Sequence, residues 1–204
     1  MGDLRSEGLV TEPPPSTREQ LLGAARELIE EGGYGAASVV AITTRAGLAA
    51  GTLYRHFRSK EELFIELFRS VCDRELAAMR RAAEEDGASH TERLQMVLST
   101  FAERALRRPR LAWALLAEPV DPLVDAERLA YRARYAELIG GCLGAAVAAG
   151  ELPDQDLALS AAALVGAWGE ALVGPLSRGE EGACAAELQD SLEAFSLRAI
   201  GARK

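Results

Sequence analysis

Four cationic residues lie close together in the first third of the chain, in a segment that contains no anionic residue. Residues 32–60 include no Asp or Glu, and the cations are Arg45, Arg55, Arg58 and Lys60. Arginine and lysine bind phosphate groups, which a carboxylate on the same surface would repel. The chain has a net charge of −8, all of it carried by residues 61–204. This contrast favours one local phosphate-binding surface over a protein that coats nucleic acid along its length.

Residues suited to metal or thiol chemistry are sparse. The chain has two histidines and three widely separated cysteines, Cys72, Cys142 and Cys184, so we expect free thiols, no zinc site and no cofactor. The polar, acidic N-terminus includes prolines 13–15, and no run of 18 apolar residues occurs. These features predict neither a signal peptide nor a membrane-spanning helix. The expected location is therefore the cytoplasm, with no membrane partner.

Helix signals account for nearly all of the chain, and no window has a convincing strand alternation. Capping boxes, in which a serine and a glutamate three residues later satisfy backbone N–H groups reciprocally, are expected at Ser16, Ser59 and Ser89. Glycine and proline mark most helix ends, and Gly174-Pro175 is expected to end the eighth helix at Val173. The sequence predicts an all-α protein of about nine helices, starting near residues 16, 39, 50, 59, 89, 109, 123, 154 and 183.

Two short predicted helices, at residues 39–46 and 50–57, are joined by a tight turn at Gly47-Leu48. This arrangement is a helix-turn-helix, in which the second helix has a suitable size to enter the major groove of DNA. Spacing alone indicates such a motif weakly. Its overlap with the acid-free segment strengthens the prediction, because a surface that faces phosphates must not carry carboxylates.

The run from Ser38 to Leu63 resembles the DNA-binding region of TetR-type transcriptional repressors. The likeness covers about the first 65 residues, and its most specific part is Gly-Thr-Leu-Tyr-x-x-Phe-x-Ser-Lys at residues 51–60. The resemblance implies a homodimer on a double-stranded DNA operator, a small-molecule effector bound in a variable C-terminal domain, and release of DNA when that effector binds. It divides the chain into a disordered tail (1–15), a helix-turn-helix DNA-binding domain (16–62) and a helical ligand-binding and dimerisation domain (63–204).

The candidates for reading base edges lie in and just before the second helix of the motif. Thr52 lies early in that helix, while Tyr54 and His56 place polar tips on its exposed side. Ala49 and Ala50 stand where the family often has a polar or basic residue. Alanine can contact a thymine methyl group but donates no hydrogen bond. Base recognition is therefore expected to depend on Thr52, Tyr54 and apolar contacts.

The expected phosphate contacts are the four cations of the acid-free segment. Lys60 begins the next helix, where free backbone amides also favour a phosphate. Arg45, Arg55 and Arg58 lie around the motif, and the alternative for each is an ordinary solvated charge. Leu53 and Phe57, four residues apart, are expected to bury the opposite face of the second motif helix.

A ligand cavity in the C-terminal domain is predicted from aromatic and polar residues on the fifth to eighth helices. The candidate lining residues are Met96, Phe101, Trp113, Tyr131, Tyr135 and Trp168. Each of these residues is also consistent with an ordinary core position. Glu118, beside Pro119 in a helix break, is a candidate to orient a polar ligand group or, alternatively, a residue of a solvated turn. Few charges accompany these residues, so a mostly apolar effector of modest size is expected.

Apolar stripes on the last two predicted helices are candidates for a dimer interface. One recognition helix makes too few contacts for a specific site, so two copies are expected. The stripes comprise Leu157, Ala161, Leu164 and Trp168 on one helix and Leu188, Leu192 and Phe195 on the other. Trp168 is consistent with either the dimer interface or the cavity wall.

Two classes of function are compatible with these observations. A ligand-responsive repressor is favoured, and the alternative is an all-helical enzyme or small-molecule carrier in which the motif is incidental. An enzyme needs a nucleophile with a base, paired carboxylates or a metal cluster. His56 lies in the predicted recognition helix and His90 lies beside a helix cap, so neither histidine marks such a site. The ligand, the operator and the choice between repression and activation stay open.

Overall fold

A computed structural model describes residues 14–179 and 183–202, which form nine α-helices and two 3₁₀ turns. The helices are α1 (Thr17–Gly32), α2 (Val39–Arg45), α3 (Leu53–His56), α4 (Lys60–Ala83), α5 (His90–Leu106), α6 (Pro109–Leu116), α7 (Pro122–Ala148), α8 (Leu157–Arg178) and α9 (Ala183–Ala199). The 3₁₀ turns are Tyr34–Ala36 and Ala50–Thr52. These described ranges contain no strand, and the all-α prediction is confirmed. Residues 1–13 of the predicted tail lie outside the described residues.

Serine caps begin several helices, as the sequence predicts. The capping boxes at the starts of α1 and α5 are complete. At α4, the Ser59 hydroxyl accepts the N–H of Glu62, but the Glu62 carboxylate accepts the N–H of Arg58 instead of that of Ser59. The third predicted box is therefore only half formed.

The predicted second helix of the motif is shorter than expected. Residues 50–57 form the 3₁₀ turn Ala50–Thr52 and then α3, a single helical turn. Leu53 and Phe57 are 0% and 2% exposed, so their predicted packing is confirmed. Burial of these two side chains holds the short helix in place.

The predicted end of the eighth helix at Val173 is wrong. Helix α8 continues through Pro175 to Arg178, where Gly179 adopts a left-handed conformation. An internal proline costs about 3 kcal/mol because it lacks an N–H donor. Leu172 and Leu176 lie one turn apart around the proline and are both buried. Burying such a side chain contributes about 1.5–3 kcal/mol, enough to offset much of that cost.

Helix α4 joins the N-terminal helices α1 to α3 to the rest of the protein. Near its start, Glu66 accepts a hydrogen bond from Arg18 of α1 at 2.8 Å. Further along, Asp73 accepts from Tyr131 of α7 at 2.8 Å, and Glu75 pairs with Arg104 of α5. The described residues share one continuous hydrophobic core that runs from α1 to α9.

Helix α8 has an unusual combination of composition and burial. It is long and apolar enough to cross a membrane, yet only 22% of its most apolar 18 residues are buried. The core helices of soluble proteins can have the same length and composition. The exposed apolar residues of α8 are therefore available to another surface.

Candidate nucleic-acid interface and ligand cavity

The helix-turn-helix is fixed by a cap, a glycine turn and a buried face. The Ser38 hydroxyl accepts the N–H of Ala41 at the start of α2. At the turn, Gly47 has φ +69°, and the N–H of Leu48 donates to the Thr43 carbonyl at 2.8 Å. Glycine adopts this left-handed conformation without steric cost. Ile42 on α2 is fully buried, as Leu53 is on α3, so the opposite faces of the two helices point outward.

Most of the predicted base-reading residues lie on this outward surface. The Tyr54 side chain is 60% exposed, Ala49 and Ala50 are exposed, and Thr52 and His56 are half-buried. Sequence reasoning missed Val40, which is 65% exposed on α2. Its position was predictable, because Ile42 and Thr43 bury a different face of the same short helix.

Folding places carboxylates beside one of the four predicted phosphate contacts. Arg45 pairs with Glu31 at 2.8 Å and with Glu27 at 3.4 Å, both on α1. The hydrogen bond that Arg45 donates to Glu31 is the largest factor that raises the pKa of the Arg45 guanidinium. A phosphate must therefore compete with two carboxylates for Arg45. The guanidinium groups of Arg55 and Arg58 have no ion pair with any residue that the structure describes.

Lys60 is held by Tyr34. Its ammonium lies 3.7 Å from the centre of the Tyr34 ring and donates to the Tyr34 carbonyl at 3.1 Å. Burial lowers the pKa of Lys60. An ammonium group has three N–H donors, so two of them stay available for a phosphate. The predicted phosphate contact of Lys60 remains a prediction, now with a defined position for the ammonium.

Glu118 does not line the cavity, and this corrects both alternatives that the sequence left open for it. The Glu118 carboxylate accepts the N–H of Tyr34 at 3.0 Å and so joins the loop after α6 to the DNA-binding domain. Gly33 leaves room for this approach, because a Cβ atom there would lie in tight contact, 3.1 Å from Glu118 Oε1. Gly33 also has φ +76°, which favours glycine. Tyr34 and Glu118 are 84 positions apart in the sequence, and no local sequence signal indicates a contact between them.

A cavity of about 320 Å³ lies among α4, α5, α6, α7 and α8. Three of the predicted ligand contacts, Phe101, Tyr131 and Tyr135, line it. Other apolar lining residues include Phe68, Val71, Leu111, Leu115 and Val165. Met96, Trp113 and Trp168 are not among the lining residues, and their assignment to the cavity is corrected. Trp168 is 1% exposed and donates to Ser196 Oγ at 2.8 Å, so it is a core residue between α8 and α9.

The tyrosines and the thiol of the cavity wall are neutral at physiological pH. Burial, with the hydrogen bond to Asp73, raises the pKa of Tyr131 to about 12. Burial is also the main factor that raises the pKa of Cys72 to about 12, and it raises the pKa of Tyr135. The part of the wall formed by these three side chains is therefore uncharged.

Arginines give the cavity a surplus of positive charge that the sequence analysis did not anticipate. The charged lining residues are Glu75 and seven arginines, Arg26, Arg74, Arg104, Arg107, Arg108, Arg128 and Arg132. Five of these arginines are paired with carboxylates: Arg104 with Glu75, Arg26 and Arg108 with Glu30, Arg107 with Glu103 and Arg128 with Asp125. Arg74 and Arg132 have no ion pair within residues 14–179 and 183–202. In the sequence, the four arginines within residues 104–110 could have indicated this positive charge.

The predicted dimer residues divide into two groups. Ala161, Leu164, Trp168 and Leu192 are at most 7% exposed within the single chain, so they belong to its own core and their assignment to the interface is corrected. Leu157 and Leu188 pack partly against the same core, whereas Phe195 is 46% exposed. The exposed apolar surface of α8 lies on its other side, at Leu159, Ala162, Ala163 and Gly166.

Comparison with known proteins places the chain in a family. The model for bacterial regulatory proteins of the tetR family matches residues 21–67. The HTH-type transcriptional repressor KstR2 of Rhodococcus jostii is 32% identical over an alignment of 161 positions that covers 72% of this chain and 78% of KstR2. The chain belongs to the TetR family of bacterial regulatory proteins.

Other relatives match over different lengths of the chain. The repressor KstR of Rhodococcus jostii is 33% identical over 113 residues, 55% of this chain and 51% of KstR, so the match spans about half the length of that relative. A crystal structure of FadR from Bacillus subtilis in complex with stearoyl-CoA has a TM-score of 0.76 and 23% identity, and the match covers 89% of this chain and 98% of FadR. At this identity the likeness to FadR is one of fold.

Proposed function

We propose that this chain is a cytoplasmic, DNA-binding transcriptional repressor that binds a palindromic operator as a homodimer. In this proposal, an effector with an apolar body and an anionic group releases it from DNA. The observation that carries the proposal is the presence, in one chain, of an exposed helix-turn-helix and an apolar cavity with surplus arginines. The repressor names of the KstR relatives support the same class of function.

The cavity suggests the chemical class of the effector. A volume of about 320 Å³ accommodates one acyl chain or compact ring system, and the uncharged aromatic wall suits an apolar group. Arg74 and Arg132 are positioned on the lining to pair with carboxylate or phosphate oxygens. The FadR structure contains stearoyl-CoA, which has both parts. We therefore propose an acyl thioester of CoA as the effector class.

Operator binding is the first test of the proposal. Random DNA is enriched on the purified protein, and the affinity for the selected duplex is measured by fluorescence anisotropy. We expect half-sites about 34–36 Å apart, read in successive major grooves. A protein that enriches no sequence would contradict the proposed function.

The effector is tested on the selected operator with stearoyl-CoA, CoA alone and stearate. Stearoyl-CoA is expected to weaken operator binding about tenfold or more, because coupling free energies are commonly 1–3 kcal/mol. CoA lacks the acyl chain and stearate lacks the CoA group, so each should reduce operator affinity less than stearoyl-CoA does. Operator binding that none of the three compounds changes would contradict the proposed effector class.

Arginine variants separate specific recognition from general charge. Replacing Arg132 with Ala should weaken stearoyl-CoA binding about tenfold, the typical effect of losing one charge-assisted hydrogen bond. Arg80→Ala is the matched control, because Arg80 is exposed on α4 and does not line the cavity. Equal losses in both variants, measured by calorimetry, would indicate non-specific attraction.

The exposed side of α8 is the proposed dimer interface. Leu159, Ala162, Ala163 and Gly166 form an apolar surface of mostly small residues that lets two helices approach closely. Self-association would bury this surface and account for the low burial of an apolar helix. Leu159→Glu should give monomers in ultracentrifugation, while Leu123→Glu, at a comparably exposed leucine of α7, should not. A dimeric Leu159→Glu variant would place the interface elsewhere.

A further inference from the structure

Tyr34 is bound from both sides of the junction between the DNA-binding domain and the C-terminal domain. Its N–H donates to the Glu118 carboxylate at 3.0 Å, and its carbonyl accepts from Lys60 at 3.1 Å. Its ring lies 3.7 Å from the Lys60 ammonium and packs edge-on against Phe64, with ring centres 4.7 Å apart. Glu118 therefore contacts the residue that holds Lys60.

The position of Glu118 is set by Arg128 of α7. Arg128 donates to the carbonyls of Ala114 and Leu115 at 3.0 and 2.8 Å. It also donates to the carbonyl of Glu118 itself at 2.7 Å. The last carbonyls of a helix have no donors within that helix, so these bonds secure the end of α6. The Arg128 side chain is only 12% exposed and lines the cavity.

A second contact supports the same junction from outside. Arg108, at the start of α6, pairs with Glu30 of α1 at 2.8 Å. The two side chains are 52% and 30% exposed, so solvent weakens this pair. The Arg108–Glu30 pair does not involve Tyr34, whereas the Glu118 carboxylate contacts Tyr34, the residue that holds Lys60.

We infer that Glu118 is a positioning residue that fixes the orientation of the DNA-binding domain and thereby determines which operator spacing the protein accepts. This inference rests on the proposed function, since it requires a dimer on a palindromic operator. The proposed dimer interface lies on α8, so the separation of the two recognition helices depends on how each DNA-binding domain is held. One base pair changes the distance between half-sites by about 3.4 Å and also rotates one half-site relative to the other. When Glu118 fixes the orientation of the DNA-binding domain, the dimer binds an operator of altered spacing more weakly than the selected operator.

The test uses the operator selected by the wild-type protein and two derivatives with one base pair added or removed at the centre. The measured quantity is the ratio of affinities for the selected and altered operators. In Glu118→Ala, this ratio should fall about tenfold, because the Tyr34 N–H loses a hydrogen bond to a charged group. Glu118→Gln keeps an acceptor oxygen and should retain most of the discrimination. Glu137→Ala, the same truncation at an exposed position of α7, should match the wild type.

Two further measurements distinguish positioning from loss of structure. Thermal unfolding of Glu118→Ala should stay within a few degrees of the wild type, because one hydrogen bond is removed. Amide hydrogen exchange at Tyr34 should become faster in that variant. If Glu118→Ala discriminates between operator spacings as well as the wild type does, this inference is overturned and the proposed function is not. Failure of the wild-type protein to enrich any DNA would overturn the proposed function and this inference with it.

Discussion

The helix-turn-helix and the ligand cavity are constructed in opposite ways. The helix-turn-helix uses residues close in sequence, such as the Ser38 cap, the Gly47 turn and the buried pair Leu53 and Phe57. The cavity is lined by residues that extend from Arg26 on α1 to Gly169 on α8. Local sequence therefore reveals the chemistry of the first region, whereas the chemistry of the second emerges only from packing.

The two regions also use their charges differently. In the DNA-binding domain, the acid-free segment is partly neutralised on folding, because Glu27 and Glu31 pair with Arg45. In the acidic C-terminal domain, folding gathers seven arginines from several helices around one cavity, and two of them, Arg74 and Arg132, have no ion pair within the described residues. A local excess of one charge in sequence is thus not sufficient for a charged surface. The predictions below test this contrast, in order of decreasing effect.

The largest effect is expected from the buried face of the motif. Leu53→Ala should lower the free energy of unfolding by about 2–5 kcal/mol, because the side chain is fully buried and its loss leaves a cavity. Val40→Ala, at the 65% exposed position of α2, should change it by less than about 0.5 kcal/mol. Urea unfolding measures both changes. Similar effects in the two variants would contradict the assignment of a buried and an exposed face.

Two tyrosines should respond in opposite ways to the same substitution. Tyr54→Ala should lower operator affinity by about 1–3 kcal/mol in a sequence-dependent manner and leave stability unchanged, because the side chain is exposed. Tyr135→Ala should lower the unfolding free energy by about 3 kcal/mol, because that ring is buried beside Phe101. Anisotropy and urea unfolding are measured on both variants. Loss of stability in Tyr54→Ala would remove it from the recognition surface.

The cations of the motif should differ in their contribution to salt dependence. Lys60→Ala should weaken binding to all DNA sequences about equally and reduce the salt slope by roughly one per subunit. Arg45→Ala should reduce the slope less, because Arg45 is already paired with two carboxylates. Operator affinity is measured between low and high salt for each variant. A change of base preference in Lys60→Ala would show that Lys60 reads sequence.

The smallest effect concerns a long-range cap at the start of α5. Glu151 accepts the N–H groups of Thr91 and His90 at 2.7 and 3.1 Å, and these bonds lower its pKa. A carboxyl group with a lowered folded-state pKa stabilises the fold above its unfolded pKa and loses that contribution as pH falls through the folded pKa. Glu151→Gln should therefore unfold at a lower temperature than the wild type at pH 7, and the difference should shrink as the pH falls through the folded-state pKa. A difference that does not shrink on acidification would contradict this origin.

The sequence predicted the features that depend on local interactions. The all-α fold, the capping boxes of α1 and α5 and the buried pair Leu53 and Phe57 are confirmed. The predicted end of α8 was wrong because burial of Leu176 offsets much of the cost of a proline that local signals treat as a stop. Local helix propensity does not include the free energy gained by burying Leu176 in the core.

The rest of the candidate site could not be predicted, because it depends on which helix faces which. The stripe that contains Leu164 and Trp168 has the same composition whether it faces the core or a second copy. Glu118 resembles any carboxylate in a turn until folding places it against Tyr34. Phe101, Tyr131 and Tyr135 were predicted lining residues, and the cavity places them together.

The central claim is that the cavity and the helix-turn-helix act on one another. Calorimetric titration of stearoyl-CoA into the free protein and into its complex with the selected operator tests this claim most directly. Reciprocity requires that the operator weaken ligand binding by the same factor by which the ligand weakens operator binding. We predict a factor between about 5 and 150 in both directions. Equal ligand affinity with and without the operator would contradict the account.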